Sequence, residues 1–358
     1  MPGWGFFHRR HSESADAALA AWHPPQRFRH VLLRERFLVD RFGGEFSLLA
    51  FASQKAEDRA AVFAHLALCF KKRLRFSDEI GWMDEACTQV GVAMHRTPAA
   101  EACMLADEVC RAFCDAIPTP RCEVYCYPTD PQAKAEGGDA AQASGEGRRS
   151  VSGMERLFAQ SLPAWKRGID IIGALLGLTL LAPLMLITLA AVKLTSRGPV
   201  FYHQKRTGLA GRPFYVHKFR SMTVDADENK RFLMAFNEQD GPAFKIANDP
   251  RVTFVGRFIR ATNIDELPQL YNVLRGEMSL VGPRPLPCNE AAACSQWQRQ
   301  RQDVTPGLTC TWQILGFRDS FDDWMRLDIR YVYARSLFHD LALIFKTVPV
   351  AVMGRRKG

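Results

Sequence analysis

No two of the ten cysteines stand at Cys-x-x-Cys spacing, and no zinc-finger pattern occurs. That removes the common thiol redox and structural metal motifs. Cys103, Cys110 and Cys114 fall at helical intervals, and Cys122 and Cys126 share one face of a predicted strand. They read as small buried hydrophobes in a reducing cytosol rather than disulfides or ligands. The charge balance is one-sided, a formal +9 with a pI near 9.1, yet no basic stretch is interleaved with aromatic residues. Anionic lipid head groups and nucleotides therefore suit the chain, and nucleic acid does not. Met1 to Arg10 has no apolar core of signal-peptide length.

One stretch lacks charge altogether, from Ile171 to Val192. As a helix it is long enough to cover about 30 Å of hydrocarbon. Pro183 stands near its middle, where a proline removes a backbone hydrogen bond and crowds the preceding turn. Lys166 and Arg167 precede the run and Lys193 and Arg197 follow it, so the positive-inside tendency pulls both ends to the same face. The expectation is a re-entrant helix over residues 161–196 that bends at Ala182-Pro183.

What the chain does have is concentrated after that run. Asn263-Ile264-Asp265-Glu266-Leu267-Pro268 carries two adjacent carboxylates, with Arg260 upstream and Gly282-Pro283-Arg284-Pro285 downstream. Neighbouring carboxylates disfavour each other's ionised form, so such a pair is kept where a cation or a proton transfer uses it. The prolines stiffen the backbone around one guanidinium, the side chain best matched to phosphate oxygens. Carboxylates, a divalent metal and rigidly held arginines together suggest phosphoryl transfer.

In chain order stand Lys166-Arg167-Gly168-Ile169-Asp170, Gly198-Pro199-Val200-Phe201-Tyr202, Gln204-Lys205-Arg206-Thr207-Gly208 and Lys218-Phe219-Arg220-Ser221-Met222. Asn248-Asp249-Pro250-Arg251, Thr305-Pro306-Gly307-Leu308-Thr309 and Trp312-Gln313 follow. This ordered set, over roughly residues 160 to 352, closely resembles the bacterial sugar transferases, monotopic phosphoglycosyl transferases that start lipid-linked glycan synthesis. The resemblance implies transfer of a sugar 1-phosphate from a UDP-sugar to undecaprenyl phosphate, with release of UMP and with Mg²⁺ (or Mn²⁺) as cofactor. It makes Asp265 the nucleophile and metal ligand, and gives Glu266 a supporting role through the metal or as a base. Arg260 and Arg284 would hold phosphates, and Lys218 would belong to the polar lining. It also implies a re-entrant anchor in the bacterial inner membrane, contact with membrane lipid, and catalytic and amino-terminal domains on the cytoplasmic side; a homodimer is left open.

Two departures from the family pattern are Ala182, where serine often precedes the proline, and Cys310, where glycine is usual. The second would strain the chain if that position needs positive φ, and it bears on sugar identity. Asn237 to Lys245 looks like members working in exopolysaccharide assembly, which favours glucose or galactose. The alternatives are an N-acetylated amino sugar in the same reaction, or a non-catalytic membrane-anchored cyclic-dinucleotide sensor. Arg220, Arg251, Arg257 and Lys205 are open to substrate contact or to ion pairs and lipid contacts, and His203 and His217 read as ordinary histidines.

The expected fold is α+β. At 358 residues there is room for two or three compact units. In residues 1–130, a strand over Phe46–Ala52, a helix over 56–75, a hairpin over 80–94, a helix over 99–114 and a strand over 122–127 give a βαββαβ, ferredoxin-like order. This region faintly resembles the diguanylate cyclase (GGDEF) domain. Arg75-Phe76-Ser77-Asp78 matches that family's inhibitory-site pattern, but Asp84-Glu85-Ala86-Cys87-Thr88 replaces the catalytic signature. A degenerate domain with a structural or partner-binding role follows. Residues 131–160, rich in Gly, Ala and Ser around Gly137 to Gly145, read as a flexible linker. Residues 197–358 form the mostly helical catalytic domain. A helix over 267–274 carries the carboxylate pair at its start, and interfacial helices over 321–337 and 341–353 close the chain.

Overall fold

The computed structural model describes residues 19–113, 117–128, 151–315 and 320–352. They fall into two compact units, Met1–Phe158 and Ala159–Gly358.

In the amino-terminal unit, α1 (Pro25–Phe42) carries proline in its first turn, where no N–H is needed, and ends at Gly43 with φ 76°. After it come β1 (Phe46–Ala52), α2 (Arg59–Arg73), β2 (Glu79–Trp82), β3 (Gln89–Met94), α3 (Ala99–Arg111), β4 (Arg121–Tyr127), β5 (Val151–Gly153) and α4 (Glu155–Phe158). One sheet runs β2-β3-β1-β4-β5, antiparallel except for the β4–β5 pair. Strand periodicity sorts the core to two faces. Leu49, Phe51 and Val92 pack with α2 and α3, while Leu48 and Ala93 pack with Phe28 and Val31 of α1 and Phe158 of α4. Gly81 and Gly91 admit the Phe28 ring, because a Cβ at either would lie 2.5 or 2.4 Å from it.

The linker ends earlier than its composition suggests. Val151↔Val124 and Gly153↔Cys126 are in register, and the Phe158 ring meets Tyr127 edge-on at 5.9 Å. An open strand edge can recruit any short segment through backbone groups alone, so Val151-Ser152-Gly153 gives no side-chain signal of its pairing. The Gly/Ala/Ser-rich part of that linker lies outside the described residues.

The second unit begins with α5 (Ala164–Thr195), 32 residues or about 48 Å of helix. A hairpin of β6 (Phe201–Thr207) and β7 (Pro213–Phe219) follows. Then come α6 (Ala226–Asn229), α7 (Phe254–Ala261), α8 (Gln269–Arg275), β8 (Ser279–Val281), α9 (Cys288–Ala292), β9 (Gly307–Thr309), α10 (Thr311–Leu315), α11 (Phe321–Ala334) and α12 (Leu337–Val352). β8 and β9 pair in parallel.

Pro183 lies inside α5, and the helix runs on past Ala182-Pro183 without ending there. A proline costs its own amide bond, and the rest of a long apolar helix keeps its ladder. Both halves of α5 pack on the same body: Ala174 and Leu178 join Val216, Leu270 and Val273, and Met185, Leu189 and Val192 join Phe219 and Ile259. Gly173 and Gly177 bring the helix close, since a Cβ there would stand 2.6 Å from Leu280 and 3.0 Å from Leu270. At its start, Lys166 pairs with buried Asp340, and Arg167 donates to the Val273 and Leu274 carbonyls at 2.6 Å each. Asp170 accepts from the Ser279 hydroxyl and the Leu280 amide at 2.9 Å each. The outer face is bare, with Ile172, Leu176, Leu180, Leu186 and Ile187 each more than half exposed. Of the two carboxyl-terminal helices expected at an interface, α11 buries Phe321, Trp324, Met325 and Tyr331 and is a core helix.

Candidate active site

The carboxylate pair does not open a helix, as the sequence suggested. It occupies its own 3₁₀ turn, Ile264–Glu266, between α7 and α8. Asn263 enters this turn with φ 56°, a left-handed conformation that asparagine tolerates better than most residues. Pro268 separates the turn from Gln269, where the α-helix starts. Upstream, the Thr253 hydroxyl caps α7 by accepting from the Gly256 amide at 2.9 Å.

The two carboxylates live in different surroundings. Glu266 accepts from Lys218 Nζ at 2.9 Å and from both terminal nitrogens of Arg284, one of them at 3.2 Å. Burial works against its charge, but Arg284 and Lys218 outweigh it and hold the Glu266 pKa well below the usual range. A carboxylate so acidic is a poor proton acceptor near neutrality, so its role as a base loses ground to an electrostatic one. Lys218 reaches this pair from β7, and burial brings its pKa down to about 8.

Asp265 is 9% exposed and makes no hydrogen bond or ion pair with any described residue. Burial and the neighbouring Glu266 charge raise its pKa. Both residues line one cavity of about 500 Å³, together with Lys218, Arg260 and Arg284. Arg260, on the last turn of α7, is exposed and its guanidinium is likewise unpaired among the described residues. No group of three His, Cys, Asp or Glu side chains converges there or elsewhere among the described residues. That donor set fits Mg²⁺ or Mn²⁺, hard ions that take one or two carboxylates and complete their shell with substrate phosphates and water. Asp265 would offer such an ion a carboxylate with no partner among the described residues.

The loop holding Arg284 is itself clamped. Arg301 donates to the Arg284 carbonyl and, through Nε at 3.0 Å and Nη2 at 2.5 Å, to Asp328 of α11. Gly282 and Gly307 pass so closely that a Cβ on Gly307 would lie 2.0 Å from the Gly282 amide nitrogen.

Sequence reading missed Arg206. Its guanidinium donates to Gln204 and to the Pro285 carbonyl and lines the cavity. The signal was present: Tyr202, Gln204 and Arg206 alternate along β6 and all line the same cavity. Burial and the nearby Arg284 lower the Arg206 pKa to about 10. Glu290, Lys230 and Phe244 line the cavity as well and were not singled out.

The other residues singled out in the sequence are placed as follows. Arg220 binds the Arg197 and Ser196 carbonyls at 2.7 and 2.9 Å and Arg251 grips Asp249, and both also line the cavity. Lys205 and Arg257 are exposed. The His203 and His217 Nδ1 atoms stand 2.7 Å apart without a third ligand. Cys310 is buried and is not among the residues with positive φ, so it carries no backbone strain. No disulfide joins any two of the nine described cysteines.

The carboxylate pair amid lysine and arginine lies within this order of motifs, and the chain belongs to the bacterial sugar transferase family, whose model matches residues 161–354. It is 40% identical over 211 residues to galactosyl transferase CpsE of Streptococcus agalactiae serotype III (strain NEM316), covering 58% of this chain and 47% of that one. It is 41% identical over 199 residues to exopolysaccharide production protein ExoY of Rhizobium meliloti (strain 1021), covering 53% of this chain and 86% of that one. With the undecaprenyl-phosphate glucose phosphotransferase of Komagataeibacter xylinus, identity is 42% over 202 residues, covering 53% and 36%. The chain thus spans about half the length of the first of these relatives and most of the second. Among solved structures, Vibrio cholerae LapD S helix-GGDEF-EAL aligns at 12% identity over 76% of this chain and 60% of that one. Its TM-score of 0.27 is too low to argue a fold from.

Proposed function

We propose that this chain is a phosphoglycosyl transferase that moves a sugar 1-phosphate from a UDP-sugar to undecaprenyl phosphate and releases UMP. The observation that carries this is the asymmetry of the dyad. Asp265 is buried and unpaired in the cavity, while Glu266 is fixed by Lys218 and Arg284. An Asp265 oxygen attacks the β-phosphorus of the nucleotide sugar, and the bond from that phosphorus to the oxygen shared with the α-phosphate breaks. UMP leaves with that oxygen, and an acyl phosphate bearing the sugar remains on Asp265. A phosphate oxygen of the lipid then attacks the same phosphorus, frees the Asp265 carboxylate and yields the lipid diphosphate sugar. Arg260, Arg284 and Arg206 hold phosphate oxygens, and Glu266 keeps Lys218 and Arg284 aligned. Mg²⁺ or Mn²⁺, held by Asp265, screens the meeting anions and polarises the diphosphate when bound.

The membrane reading rests on α5. Both halves of the helix pack on the catalytic body, an arrangement that suits an anchor entering and leaving one face of the inner membrane, on the cytoplasmic side. Relatives named for galactose and glucose favour a hexose. A panel of radiolabelled UDP-sugars with undecaprenyl phosphate in detergent tests the reading. Label in the lipid fraction with release of UMP supports it; release of free sugar phosphate, or no transfer from any UDP-hexose or UDP-N-acetylhexosamine, defeats it.

A further inference from the structure

The cavity holds a further carboxylate that the transfer chemistry leaves idle. Glu290, at the start of α9, is 8% exposed and shares the cavity lining with Asp265 and Glu266. Lys230 Nζ stands 3.7 Å from its Oε1, an ion pair too long for a hydrogen bond. Arg206 lies within electrostatic reach of both Glu266 and Glu290, so one guanidinium links the dyad to this second carboxylate. An ionised carboxylate repels phosphate, and Lys230, Arg206 and the Phe244 backbone only partly offset the burial that pushes the Glu290 pKa up, so the site gains when something else donates to it as well. Neutral hydroxyl groups do so. Lys230 is held at the wall by Phe244, whose ring centroid lies 5.0 Å from Nζ.

We propose that Glu290 and Lys230 form a polyol subsite and are specificity-determining residues: Glu290 accepts from one hydroxyl of a vicinal diol, and Lys230 donates to its neighbour. The proposal rests on the nucleotide-sugar reading above. Adjacent hydroxyls match an acceptor and a donor standing side by side 3.7 Å apart, and two parts of a nucleotide sugar offer them, the ribose and the transferred hexose. Both are neutral, and neither suits the arginine-rich part of the cavity.

The test uses the full chain in detergent with UDP-glucose, UDP-galactose and UMP as probes, comparing wild type with Glu290→Gln and Lys230→Met. The KM for the UDP-hexose used should rise about tenfold in each variant, with kcat falling by less than KM rises. UMP affinity by calorimetry separates the sources. Loss in step with KM places the diol on ribose, and unchanged UMP affinity places it on the hexose. Unchanged KM in both variants, or a fall in kcat alone, overturns the subsite. The Lys230 side chain is 30% exposed, so its variant keeps the test decisive if Glu290→Gln does not fold. Calorimetry with the UDP-hexoses scores the subsite by binding, so an absence of turnover in the wild type counts against the transferase reading alone.

Discussion

Arg301 Nη2 reaches the main-chain carbonyl of Arg284 and, together with Nε, also clasps Asp328, so a helix remote from the dyad in sequence fixes the arginine that faces Glu266. Both partners of the Arg301–Asp328 pair are buried, with side chains 4% and 1% exposed.

Removing one member leaves the other charged in the interior. Asp328→Ala should therefore lose about 3–5 kcal/mol of stability. Transfer should fall further than the unfolded fraction explains, because the Arg284 loop loses its brace. Thermal denaturation in detergent, read beside activity at a temperature where the variant is folded, checks this; an unshifted Tm would contradict it.

Asp265→Asn should abolish turnover without lowering Tm, since the native carboxylate is buried, unpaired and raised in pKa beside Glu266. Glu266→Gln should lose activity and stability together, because Lys218 and Arg284 would face each other without the intervening charge. A chelator should stop the wild-type reaction and added Mg²⁺ restore it. Near wild-type transfer by Asp265→Asn would end the covalent mechanism.

Residues beside Arg167 and Arg197, replaced by cysteine, should be equally protected from a membrane-impermeant reagent applied from the periplasm. Pro183→Leu should favour a true span, since the helix then regains the backbone bond that proline removes and the apolar run is long enough. Labelling of one end only in the parent chain would mean that the helix crosses.

Gly307→Ala should not accumulate as folded protein. The new Cβ would fall 2.0 Å from the Gly282 amide nitrogen, and backbone on both sides cannot move aside without opening the β8–β9 pair. Circular dichroism and gel filtration of the purified variant would show it; a wild-type melting curve would refute the packing.

A chain starting at residue 159 should still transfer sugar phosphate in vitro, because every residue assigned to chemistry follows Ala159. The isolated unit 1–158 should have no diguanylate cyclase activity. Its β2–β3 turn is closed on itself, with the Thr88 amide donating to Asp84 at 2.7 Å and Cys87 at φ 50°. Formation of cyclic diguanylate from GTP would disprove this, and calorimetry with Arg75→Ala as control decides whether that ligand binds.

The parts legible in advance are those whose signal is local. Phe46–Ala52 reads as a buried strand because seven residues carry no charge, and it is found with those bounds. The Asp265-Glu266 pair and the Gly-Pro-Arg-Pro loop announce themselves by composition. α1 was missed although it is punctuated at both ends, by Pro24-Pro25 and Gly43-Gly44; its buried Glu35 and Arg36 disguise the apolar face. Glu290 could not be found, since nothing in Cys288-Asn289-Glu290 separates a cavity carboxylate from a solvated one. Only tertiary packing makes that distinction.

The way α5 lies against the catalytic body has a practical corollary. Its glycines seat Leu280 and Leu270, its Asp170 ties down the start of β8, and its Arg167 terminates α8. The anchor is thus also scaffolding. A water-soluble enzyme cannot be obtained by trimming the chain back to residue 197, because the cut would unroof the hydrophobic interior it was meant to release. Solubility would have to be engineered on the bare outer row at Ile172, Leu176, Leu180, Leu186 and Ile187, with the inner row left untouched.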